Sequence, residues 1–140
     1  MQDIELAYGK TGLQLTLPDN AQATVIRKRP LPVPDDAHAV IEQALACPIE
    51  AQPLEHAAGG AASACILICD ITRPVPNHLF LRPLIERLVA AGLPAPAITV
   101  LVATGLHRPN IGDELRELVG DEWVLENVTV ANHDARDDAA

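Results

Sequence analysis

Hydrophobic and polar positions alternate in two different ways along the chain. Residues Ile4 to Tyr8 and Leu13 to Leu17 switch apolar and polar side chains with a period of two, and Ala23 to Arg27 does so less strictly. The breaks fall at Gly9-Lys10-Thr11-Gly12 and at Pro18-Asp19-Asn20. That pattern predicts short antiparallel strands joined by tight turns, a β-ribbon over about residues 1–30. Further on, Ala64 to Cys69 and Ala97 to Val102 are apolar almost without interruption. Such runs predict central strands of a parallel sheet, covered by helices on both faces.

Between these strands the spacing becomes helical. Asp35 or Asp36 is placed to cap a helix from about Ala37 to Ala46, with Val40, Ile41, Ala44 and Leu45 facing inward. A second short helix is expected over Pro53 to Ala58, ended by Gly59-Gly60. Asn77 is read as the cap of a longer helix to about Ala91, closed by Gly92; Pro83 inside it predicts a late start or a kink. A helix over about Ile111 to Val119, stopped by Gly120, and a strand over about Asn127 to Ala131 complete the series. The order predicts an α/β fold, a three-layer Rossmann-like parallel sheet with an N-terminal antiparallel β-ribbon. The chain of 140 residues is then one domain, with the ribbon over 1–30 and a β-α-β-α-β core over 35–140.

Composition narrows the function classes. The formal net charge is −9, and the only basic cluster is Arg27-Lys28-Arg29, which argues against a surface that tracks phosphates along a nucleic acid. No apolar run approaches membrane-spanning length, and the first residues, MQDIELAYGK, lack the order of a signal peptide, so a cytoplasmic setting is expected. Cys65 and Cys69 lie four residues apart on one predicted strand, about 13 Å, beyond disulfide reach. With no CxxC spacing, they and Cys47 read as small buried hydrophobes and not as zinc ligands.

Polar residues gather after the predicted strands, where parallel sheets place their ligand crevice. Asp70, Thr72 and Arg73 follow the first strand, stiffened by Pro74 and Pro76. Asp70 and Arg73 can be a structural ion pair that pins this turn. They can equally be a site in which Arg73 grips a carboxylate or phosphate while Asp70 orients a base or accepts from a hydroxyl. Thr104, Gly105, His107 and Arg108 follow the second strand. His107 either decorates a loop or serves as a proton acceptor near neutral pH, Gly105 permitting a close backbone approach. His133 and Asp134 follow the last strand and make a weaker pair, and His78, His38 and His56 show no partner. Ser63, the only serine, lies before a strand, so no catalytic triad can be built, and no phosphate-binding glycine motif occurs.

Two of these segments carry a family resemblance. DITRPVPNH at Asp70 to His78, followed by TVLVATGLHRP at Thr99 to Pro109, resembles the N-terminal part of the nickel-pincer lactate racemase family. The early ribbon, DELREL from Asp113 and NHDARD from Asn132 resemble it as well. The resemblance implies inversion of a 2-hydroxy acid by reversible hydride transfer to a nickel pincer nucleotide derived from nicotinate mononucleotide. It matches His107 to one of two acid/base histidines, and Asp70 and Arg73 to residues lining the cofactor and substrate site. Thr72, Thr104, Gly105 and Arg108 would have supporting or binding roles. Members of that family are longer. The tethering lysine, the nickel-ligating histidine and the second acid/base histidine would lie in the remainder, since only Lys10 and Lys28 occur here, neither in a matching motif.

The resemblance therefore implies the first part of such an enzyme, interrupted at Asp137-Asp138-Ala139-Ala140, which binds no nickel and racemises nothing alone. Its partners would be a small 2-hydroxy acid and the remainder of its own enzyme. A second reading is a non-catalytic module in which Arg73, Thr104 and Arg108 bind a small carboxylate or phosphate. A third is association of copies through exposed apolar surface or sheet edges.

Overall fold

The computed structural model describes residues 1–137, and the segment 138–140, where the interruption is expected, lies outside them. The chain forms two compact units, Met1–Val33 and Pro34–Ala140. In the first, β1 (Gln2–Leu6) pairs antiparallel with β2 (Leu13–Leu17), Ile4 opposite Leu15. The expected third strand at Ala23 to Arg27 does not form. Its alternation is looser than that of its neighbours, and the Arg27-Lys28-Arg29 run and Pro30 that follow favour solvated, extended chain.

The second unit is a mixed α/β fold. Strands β3 (Ala64–Cys69), β4 (Ile98–Ala103) and β5 (Thr129–Asn132) form a parallel sheet in the order β3-β4-β5. Helix α1 (Ala37–Ala46) starts where Asp36 accepts the Ala39 amide at 3.0 Å, and a single turn, α2 (Leu54–Ala57), precedes the sheet. Helix α3 (Asn77–Ala90) joins β3 to β4, while α4 (Asp113–Val119) and α5 (Glu122–Asn127) join β4 to β5. Ile98, Val100 and Val102 of β4 are sealed against Leu81 and Ile85 of α3, Val119 of α4 and Val124 of α5.

Several local expectations are corrected. Strand β3 is buried on one face only: Ile68 is buried, while Leu67 is 69% exposed and Cys65 and Cys69 are exposed, as is Cys47. The reason is topological. Two crossovers of the same hand that step in one direction across a sheet lay their helices on the same face. An apolar strand thus marks what can be covered, not what is covered by this stretch of chain. Asn77 is no cap either. Pro76 holds that position, and the buried Asn77 side chain donates to the Leu118 carbonyl at 2.9 Å, tying α3 to α4. Pro83 sits inside an uninterrupted α3.

Helix α5 was not expected; Asp121 caps it by accepting the Trp123 amide at 2.8 Å. Gly120 does end α4, in the left-handed conformation at φ 68°. Any Cβ there would stand 2.8 Å from that of His78, so glycine also allows α3 and α4 their close approach. No described helix is long and apolar enough to cross a membrane.

Candidate active site

All three strands of the parallel sheet end on the same edge, so the segments that follow them meet there. The turn after β3 is built around Asp70. Its Oδ1 accepts from the Thr72 amide at 3.1 Å and the Thr72 hydroxyl at 2.6 Å, and its carbonyl accepts from the Arg73 amide at 3.1 Å. This is the local side-chain-to-backbone pairing that short acidic residues favour in turns. The Arg73 guanidinium reaches the Thr72 hydroxyl at 3.4 Å. Asp70 therefore takes Thr72 and His107 as partners, and the ion pair with Arg73 that would merely pin the turn is not made.

The loop after β4 supplies His107. Thr104 and His107 close a turn, the His107 amide donating to the Thr104 carbonyl at 3.0 Å across Gly105, whose φ is 57°. The imidazole Nδ1 meets Asp70 Oδ2. The carboxylate is buried and the imidazole side chain is 55% exposed, so the pair runs from the interior outward. Hydrogen bonds from Thr72, then from His107, hold the Asp70 carboxyl below its usual range, and it is ionised at neutral pH. An ionised carboxylate only accepts. Nδ1 must donate, and a neutral His107 keeps its lone pair on Nε2.

The groove beside this pair is lined by Cys69, Asp70, Arg73, Ala103 and Thr104 to His107, and measures about 410 Å³. It presents an imidazole acceptor and a guanidinium donor, which suits a small anion carrying a hydroxyl. A second groove, of about 510 Å³, lies across the Gly105–His107 loop, lined among others by Arg108, Asn132, His133, Asp134 and Arg136.

The structure brings Asp70, Thr72, Arg73, Thr104, Gly105 and His107 together and turns Arg108 to a partner of its own. The Thr104 side chain is buried, its hydroxyl donating to the His133 carbonyl. Arg108 forms a two-pronged pair with Glu114 at 2.6 and 2.8 Å. Of the three residues of the alternative anion site, Arg73 and Thr104 line one groove, whereas Arg108 lines the other and is paired with Glu114. Asp134 caps its own turn, accepting the Arg136 amide at 3.0 Å.

Sequence reasoning missed Asn110, which is 2% exposed. Its side-chain oxygen accepts from the Ile71 amide at 3.3 Å, and its side-chain nitrogen donates to Glu114 at 2.8 Å. Its backbone exchanges two bonds with the Asn132 side chain, at 2.8 and 2.9 Å. No local signal marked it, because the partners that define its role lie 39 and 22 residues away.

Comparison with known proteins gives concordant matches. The model of the lactate racemase N-terminal domain matches residues 8–140. A lactate racemase of Lactiplantibacillus plantarum is 35% identical over 100 residues, 71% of this chain and 23% of that protein. One from Thermoanaerobacterium thermosaccharolyticum is 31% identical over 138 residues, 97% of this chain and 32% of that protein. The structure of the lactate racemase apoprotein from the latter organism superposes with a TM-score of 0.74 at 30% identity, covering 97% of this chain and 31% of that one. The chain spans about a third or less of the length of these relatives.

Proposed function

The chain belongs to the family of lactate racemase N-terminal domains, and from that premise we propose that it forms the proton-transfer and anion-orienting wall of a 2-hydroxy-acid racemase. The observation that carries the reading is the buried, ionised Asp70 paired with a half-exposed His107 beside Arg73. On this reading Arg73 pairs with the substrate carboxylate. The 2-hydroxyl gives its proton to His107 Nε2, and Asp70 stabilises the imidazolium that results. In the reverse direction the same nitrogen returns the proton. Thr72 keeps Asp70 oriented, and Gly105 lets the loop backbone turn tightly enough to bring the imidazole to it.

The nickel pincer nucleotide implied by the resemblance would supply the hydride acceptor. Among the described residues no three metal-ligating side chains converge. On this reading the metal would be held by groups outside them, and this chain would contribute proton transfer and orientation of the anion. The partners on this reading are a small 2-hydroxy acid and the remainder of a longer cytoplasmic enzyme. Residues 1–140 alone would then lack racemase activity.

The test is interconversion of D- and L-lactate by the complete polypeptide with its cofactor. His107→Ala is expected to lower turnover by about 10²- to 10⁴-fold, the range of general acid/base contributions. Unchanged turnover would remove His107 from the reaction.

A further inference from the structure

The loop that carries His107 is anchored at both ends to the chain leaving β5. At its start, the Thr104 hydroxyl donates to the His133 carbonyl. At its end, Asn110 and Asn132 exchange two hydrogen bonds, the Asn132 amide group serving the Asn110 backbone as a neighbouring strand would. Asn110 then uses its own side chain in two further directions, accepting from the Ile71 amide, next to Asp70, and donating to Glu114 on α4. One buried residue therefore connects all three segments at the sheet edge, and it joins the His107 loop to the backbone of the Asp70 turn.

We infer that Asn110, held by Asn132, is a positioning residue that fixes the distance between the Asp70 turn and the His107 loop and so selects the imidazole tautomer. The inference rests on the proton-transfer reading for its consequence, and on the hydrogen bonds alone for its geometry. His107 is half exposed and belongs to a loop, so packing does not hold its ring. Its orientation depends on the carboxylate it meets; Thr72 orients that carboxylate within its own turn, and the bond between residues 71 and 110 ties that turn to the loop carrying the imidazole. Without that link the imidazole would sample both neutral tautomers, and Nε2 would carry a hydrogen for part of the time. A nitrogen that already carries hydrogen cannot accept the substrate proton.

The experiment reads the tautomer directly, by two-bond ¹H–¹⁵N NMR of the histidine rings in the 140-residue chain. His107 is assigned by the loss of its signals in His107→Gln. The unsubstituted chain, at a pH where His107 is neutral, is expected to show Nδ1 protonated and Nε2 bare. Asn110→Ala and Asn132→Ser are expected to shift these resonances toward the averaged values of a free imidazole, while the methyl signals of Val100 and Val124 in the core stay in place.

Asn132→Ser is the milder change, since Asn132 is only partly buried, and it decides the matter if Asn110→Ala fails to fold. A His107 that keeps the Nδ1–H tautomer in every variant that retains the core methyl spectrum overturns the inference. In the complete enzyme the same variants are expected to lose about 10- to 100-fold in kcat with a smaller change in KM. The two failures are separable. Full activity of His107→Ala would refute the proton-transfer reading whatever the tautomer, whereas an unmoved tautomer would refute the positioning role and leave the reading intact.

Discussion

The two sides of the loop from Thr104 to Asn110 carry polar networks made of similar atoms and put to opposite use. On one side, Asp70 is buried, but its partner His107 is 55% exposed and engages it through one ring nitrogen. On the other side, Asn110 is 2% exposed, and its backbone and side-chain groups all find partners on Ile71, Glu114 and Asn132. A buried network with every donor and acceptor satisfied is rigid and chemically closed. A network that ends on a half-exposed imidazole leaves a lone pair to a substrate. The closed side thus makes the open side dependable: a loop residue gains a defined orientation because its neighbour three positions on is locked.

The largest effect expected from breaking this contrast is at the open side. His107→Ala should abolish most racemisation in the complete enzyme, yet lower the thermal midpoint of the domain only modestly, because the exposed ring contributes little to packing and its loss costs Asp70 one of several hydrogen bonds. Differential scanning calorimetry beside the lactate assay checks both halves. A fall in stability as large as the fall in activity would show that His107 belongs to the scaffold after all.

Next in size is the closed side. Asn110→Ala removes two side-chain bonds from a buried site and leaves the Ile71 amide without its partner, at a cost of about 3 kcal/mol. Urea unfolding measures it. A loss below about 0.5 kcal/mol would mean that water replaces Asn110 without penalty, and the contrast between the sides would disappear.

A smaller change sharpens the border between the two. Thr72 contributes most to lowering the Asp70 pKa, ahead of His107. Thr72→Val removes the hydroxyl bond and keeps the shape, so the Asp70 carboxyl should titrate closer to its ordinary range. The expected signature is a higher midpoint in a ¹³C carboxyl titration, and racemisation in the complete enzyme that is lost at higher pH on the acid side. A midpoint that does not move would assign the lowering to His107.

Much of this architecture was legible from residue patterns. The apolar run at Ala64 to Cys69 coincides with β3, and of the two candidates Asp35 and Asp36 the second caps α1, because both signals are local. The polar turns after the strands could be placed at one edge because parallel strands share their direction. What could not be read depends on partners far away in the chain. Asn110 bonds residues 39 and 22 positions distant, and nothing in the sequence around Pro109 announces them. The exposure of Cys65 and Cys69 was hidden for a related reason: an apolar strand looks the same whether helices cover one face or two. Asp121 was a local signal for α5, overlooked because Gly120 had already ended one helix.

The smallest expected effect lies at the rim of the closed side, where an exposed Arg108 pairs with a half-buried Glu114. Arg108 first, and Asn110 second, hold the Glu114 carboxyl down to about 2, against an ordinary value of 4.5. The sign follows from linkage: a carboxyl depressed in the fold adds stability that is fully present above pH 4.5 and is lost as pH falls toward 2. Arg108 is 71% exposed, so screening by solvent keeps that contribution small, and added salt should reduce it further. Urea midpoints of the unsubstituted chain and of Glu114→Gln should differ by a small constant amount near neutral pH and converge between pH 4.5 and 2. If Arg108→Ala removes the whole difference, the exposed ion pair supports the rim by itself. A remainder that persists in Arg108→Ala and vanishes in Asn110→Ala would show that Glu114 belongs to the buried network through Asn110, and that the closed side extends to the surface of α4.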